Sequence, residues 1–67
     1  MKIWKVNYHY EHNGKTFDSD SGEIYTDTII EAVNFVMREL CDIFDDPNHE
    51  KFAITSAEFV GESHWVG

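Results

Sequence analysis

From Trp4 to Glu11 the chain alternates with a period of two: Trp4, Val6, Tyr8 and Tyr10 fall on one side, Lys5, Asn7, His9 and Glu11 on the other. That is the pattern of a strand, expected over residues 2–11, with one buried face. Asn13-Gly14 follows, two residues that tolerate positive φ and favour a type I′ turn, so a second strand is expected to return through Lys15 to about Thr26. A two-residue loop pairs Tyr10 with Phe17 on the buried face. Carried on without a break, the same register sets Glu23 opposite Trp4 and buries a charge. One extra residue near Ser21-Gly22 repairs this, placing Ile24 against Trp4 inside and Glu23 against Lys5 outside, with His9 facing Asp18. A β-bulge is therefore predicted there.

Beyond Asp27 the period changes. Thr28-Ile29-Ile30-Glu31 has the spacing of a capping box, with Asp27 as the alternative cap. At about 100° per residue, Ile29, Val33, Val36, Leu40, Ile43 and Phe44 then form one stripe, with Ile30, Ala32, Met37 and Cys41 at its margins. The opposite side carries Glu31, Asn34, Arg38, Glu39 and Asp42, and Phe35 sits among them where the pattern asks for a polar residue. Asp45-Asp46-Pro47-Asn48 ends the helix, because proline cannot continue it and restricts the residue before it. A third strand is expected from Lys51 to Val60. Its alternation holds at Phe52 and Ile54 and breaks before Phe59, which predicts a second irregularity near Ser56-Ala57. The closing residues 62–67 read either as a frayed end or as a short docked segment.

Strand, strand, helix, strand is the order of an α+β fold. The helix reverses direction after strand two, and short, right-handed connections place strand three beside strand one. The expectation is a single domain over residues 1–67, a ββαβ unit whose three-stranded antiparallel sheet runs in order 2-1-3 with the helix on one face. The other face stays open and carries Ile3, Lys5, Asn7, His9, Glu11, Asp18 and Glu23, a surface for a partner or for a second copy.

Composition then narrows the function. Five Lys and Arg against thirteen Asp and Glu give 5 − 13 = −8, and residues 16–37 hold five acids without a Lys or Arg. Such a chain repels phosphate backbones, which argues against direct nucleic-acid binding and favours partners with a basic face. With 42% hydrophobic and 15% aromatic residues it is a folding chain, not a disordered one. The single cysteine, Cys41, precludes an intramolecular disulfide and reads as a small core residue. No apolar run suits a membrane span or a leader, so a soluble, cytoplasmic protein is expected.

Candidate chemistry is sparse. His9 and His12 flank Tyr10-Glu11 on opposite strand faces, the wrong disposition for sharing a metal. Asp18-Ser19-Asp20-Ser21-Gly22-Glu23 is rich in oxygen ligands, but its glycine is at the fifth position where a calcium loop needs it at the sixth, and no Glu follows at the twelfth. Asp45-Asp46-Pro47-Asn48-His49-Glu50 reads first as turn chemistry. No nucleophile motif, phosphate loop or Cys-x-x-Cys pair is present, and the expectation is a protein without enzymatic activity, metal or cofactor. The remaining signal concerns surface. Phe35 amid Glu31, Glu39 and Asp42 has the composition of an interface anchor for a basic, partly apolar groove, and Asp18, Asp20 and Glu23 of the second strand extend the acidic set in a phosphate-like array.

In size, charge and sheet-plus-helix plan the chain resembles the small acidic proteins of bacterial viruses and prophages, anti-restriction and anti-CRISPR proteins among them. That resemblance implies a non-enzymatic inhibitor, of anti-CRISPR or DNA-mimic type, that occupies the nucleic-acid-binding or catalytic face of a host defence protein. Locally, Thr26-Asp27-Thr28-Ile29-Ile30-Glu31-Ala32 is similar to the helix start of HicB-type antitoxins. This implies the alternative of a small regulatory or structural homodimer, pairing through the open sheet face or the edge of strand two.

Overall fold

The structure, a computed structural model, describes residues 1–62. Its elements are β1 (Lys2–His12), β2 (Lys15–Thr26), α1 (Ile29–Ile43) and β3 (Phe52–Glu62). The strands form one sheet in the order β2-β1-β3, antiparallel at both seams, with α1 on one face. The α+β plan is the expected one. The question of the closing segment lies outside the described residues.

Asn13 and Gly14 both adopt positive φ, 52° and 75°, as a type I′ turn requires. From there the register runs as expected: Tyr10 opposite Phe17, His9 opposite Asp18, then Lys5 opposite Glu23 and Trp4 opposite Ile24, with the shift between Lys5 and Asn7. The bulge is therefore at Ser21-Gly22, and Gly22 takes φ +71°. Side chains repair the interrupted ladder. The Val6 amide donates to Ser21 Oγ at 3.0 Å, Ser21 Oγ donates to the Gly22 carbonyl at 2.8 Å, and the Gly22 amide donates to Asp20 Oδ1 at 2.8 Å.

On the β3 side the irregularity expected near Ser56-Ala57 lies one residue earlier, and a second one joins it. Tyr8 faces Ile54 while Asn7 faces Ser56, leaving Thr55 as the extra residue; Trp4 faces Phe59 while Ile3 faces Gly61, leaving Val60 as another. Thr55 does for β3 what the first bulge does for β2: it turns Ala57 and Phe59 toward Val6 and Trp4 and sends Glu58 outward, opposite Lys5.

The core is small. Val6, Ala32, Val36, Leu40 and Phe52 are buried, and Trp4, Tyr8, Ile24, Val33, Met37, Phe44 and Ile54 are among the half-buried side chains packed on them. The centre of the helical stripe is Ala32-Val36-Leu40, so Ala32, expected at the margin, is fully buried instead. A methyl group there lets the helix approach the sheet. Ile29 and Ile43 have the right azimuth but stand in the first and last turns, and remain exposed. At the far end Phe17 stacks on Tyr10 and Tyr10 on Phe44, with Phe52 tilted against Phe44; the ring centroids are 5.5, 5.2 and 6.1 Å apart, and the four rings close the core below the helix C-terminus.

Helix capping follows the sequence at one end only. Thr28 is the N-cap, its hydroxyl accepting from the Glu31 amide at 3.2 Å. At the C-terminus the helix stops before Pro47 can act: Asp45 is left-handed at φ 50°, the Asp46 amide donates to the Cys41 carbonyl at 2.9 Å and the Asp45 amide to that of Asp42 at 3.4 Å. This is a Schellman arrangement with aspartate where glycine is usual.

Candidate protein-binding site

The seven candidate acidic and aromatic residues divide between two sides of the sheet, Asp18 and Glu23 on the open face where their expected register put them. Phe35 stands on the flank of α1 that faces β2, not on the side directly away from the sheet, and is 48% exposed. Beside it, where the bulge interrupts β2, a cleft of about 240 Å³ opens between helix and strand. Tyr8, Ile24, Phe35, Leu40 and Ile43 line it together with Glu39, and Asp20 borders it at the bulge while its register opposite Asn7 belongs to the open face. A second depression on the other side of Phe35 is lined by Thr26, Glu31, Asn34 and Arg38. The structure thus brings Phe35 together with Glu39 on one side and with Glu31 on the other. Glu31 also accepts a 3.1 Å hydrogen bond from the Thr28 hydroxyl, so the cap holds it in place. Asp42 is exposed in the last helical turn and lines neither depression.

Asp18 and Glu23 belong to the open face. Their register opposite His9 and Lys5 is as expected, but Lys5 does not turn to Glu23: its ammonium pairs with Glu58 across the other seam at 3.4 Å. Asn7 Nδ2 donates to Ser56 Oγ and Glu58 Oε2, at 3.0 and 3.1 Å. The Asn7 hydrogen bond, helped by Lys5, holds the Glu58 carboxyl below its ordinary pKa. Glu23 instead accepts from the Tyr25 hydroxyl at 3.0 Å, and that bond with the adjacent negative charge raises the Tyr25 phenol. The open face is more acidic than expected, since Asp20 and Glu58 join Glu11, Asp18 and Glu23 there by register.

The cations do not gather to balance it. Lys2 and Lys15 lie at opposite ends of the sheet, and Lys5 is paired with Glu58. Lys51 Nζ reaches the Phe44 carbonyl at 3.4 Å, and Arg38 lies on the helix beside Phe35.

Among the described residues no group of three or more His, Cys, Asp or Glu is disposed to hold a metal ion. His49 stacks on Phe52 at 5.5 Å, and Asp46 in the same turn is buried, taking the Glu50 and Lys51 amides at 3.0 and 2.7 Å. No described helix is long and apolar enough to cross a membrane.

Sequence reasoning singled out Phe35 and its acidic neighbours but did not show the cleft beside them. The signal was present, because a bulge bends its strand, and the expected bulge at Ser21-Gly22 faces the helix flank that carries Phe35. Glu58 was missed because its outward orientation depends on the bulge at Thr55.

Among protein-family models, curated proteins and solved structures, none matches the chain. What the fold and surface define is a class: a small α+β unit whose acidic charge spreads over both sides of its sheet and whose most distinctive apolar feature is a helix-borne aromatic beside a cleft.

Proposed function

We propose that this chain is a non-enzymatic, acidic protein-binding module of the cytoplasm that occupies the basic, nucleic-acid-binding surface of another protein. In this reading it is a mobile-element-encoded inhibitor of a host defence effector, acting as a DNA mimic of anti-CRISPR or anti-restriction type. The observation that carries the reading is Phe35, half-exposed between two depressions whose linings include Glu39 and Glu31, on a chain whose lysines and arginine form no opposing patch. An aromatic that loses its water on binding supplies affinity, and surrounding carboxylates supply steering and selection for a cationic partner. Asp18 and Glu23 on the far side act through the overall field.

Capture on the immobilised protein from bacterial lysates tests this. The expected catch is nucleic-acid-binding proteins, released by salt and by competing duplex DNA. A variant carrying Glu31→Lys, Glu39→Lys, Asp42→Lys and Phe35→Ala should keep its circular dichroism and lose the catch. Capture that survives these changes, or that DNA does not compete, would overturn the proposal.

A further inference from the structure

We infer that the cleft between α1 and β2 is a receptor for an arginine side chain of the basic partner, which makes Phe35 a wall to be stacked upon as well as a knob. This rests on the reading above and assigns the chemistry of its central contact. Three observations converge at one place. The cleft holds about 240 Å³, and Tyr8, Ile24 and Leu40 make its interior largely apolar, which suits the aliphatic stem of a long side chain. Phe35 offers an aromatic wall at its mouth, half of it exposed. Glu39, one helical turn on from Phe35, contributes a carboxylate that makes no ion pair among the described residues. The arrangement asks for an apolar stem, a flat cationic head that lies on an aromatic ring, and donors in reach of a carboxylate.

Arginine meets all three demands and lysine meets fewer. A guanidinium is planar, weakly hydrated and able to stack while its fork of N–H groups pairs with a carboxylate, whereas an ammonium is a strongly hydrated point charge. Asp20 borders the cleft, but its register belongs to the open face and one of its oxygens is engaged with the Gly22 amide of the bulge. For that reason the test uses Glu39 and Phe35, whose replacement leaves the bulge intact.

The experiment is a titration of the isotopically labelled protein, at low salt, with two short blocked peptides of equal charge, one alternating arginine with glycine and the other lysine with glycine. Amide shifts are expected to centre on Ile24, Phe35, Glu39 and Ile43, with the arginine peptide binding roughly two- to five-fold tighter than the lysine one, the range of an exposed cation–π contact. Phe35→Leu keeps a bulky wall and should equalise the two peptides. Glu39→Gln should weaken the arginine peptide while leaving the spectrum of the free protein in place. Equal affinity for both peptides in the unsubstituted protein, or shifts confined to Asp18, Glu23 and Glu58, would overturn the assignment. The two proposals fail separately. Capture of nucleic-acid-binding proteins by a chain whose cleft shows no shifts removes the arginine site alone, and arginine-selective shifts without such capture remove the partner class alone.

Discussion

Val6 is fully buried, and where β2 bulges its amide meets a side chain instead of a carbonyl. Ser21→Ala removes that acceptor and leaves an N–H group unpaired inside the core, which is expected to lower stability by about 1–3 kcal/mol in a denaturant melt. Gly22→Ala tests the backbone at the same bulge. Nothing lies within 4 Å of an added Cβ there, so the expected loss of roughly 1 kcal/mol comes from φ +71° and not from a clash. Asp46 makes a different prediction, because it titrates. Burial would raise its pKa, but the Lys51 and Glu50 amides, with the charges of Lys51 and His49, outweigh this and hold the carboxyl below 3.8. A carboxyl lowered by folding favours the native state above its unfolded pKa and loses that contribution as the pH falls through the folded value. Melting temperatures recorded from about pH 5 down to about pH 2 should therefore fall more steeply for the native chain than for Asp46→Asn.

The last turn of α1 violates two helix preferences at once. Its left-handed position holds Asp45 where glycine would be unstrained, and the turn contains Asp42 and no basic residue, against the helix dipole. Asp45→Gly is accordingly expected to stabilise the fold by about 0.5–1 kcal/mol, measurable as a shift in denaturation midpoint at unchanged slope. At the other extreme, Ala32→Leu forces a larger side chain between helix and sheet and should cost about 1–3 kcal/mol. These elements also mark how far the sequence could be read. Hairpin, first bulge, helix start and strand order followed from local rules: positive-φ residues at 13 and 14, a charge that must not be buried at 23, a hydroxyl three residues before Glu31. The C-terminal cap was hidden because aspartate took the glycine role. The broken alternation before Phe59 announced the extra residue at Thr55 to within one position, while Val60 gave little sign of being extra, since its place depends on which side of Trp4 its neighbours must pack. Of the site, Phe35 was visible as a break in the helical pattern, while the cleft beside it needed the distance between two elements that no periodicity reports.

Across the whole molecule, eight net negative charges repel one another in the folded state more than in the expanded one. Added sodium chloride, by screening this, should raise the melting temperature while weakening any complex with a basic partner, so the two salt responses are expected to have opposite signs. The sheet also orders the molecule by protection. Among the described strands β1 alone is paired along both sides, and its amides should exchange with solvent more slowly than those of β2 or β3. Among the described residues the outer strands, eleven and twelve residues long, each have one side without a strand partner, long enough to recruit a neighbouring chain into an endless ribbon. Irregularity works against such growth: β2 breaks its line at Ser21-Gly22, and β3 breaks at Thr55 and again at Val60. A chain with Thr55 and Val60 deleted would present a straighter border, and its conversion to fibrils, followed by thioflavin fluorescence, is where the usefulness of those two surplus residues would become visible.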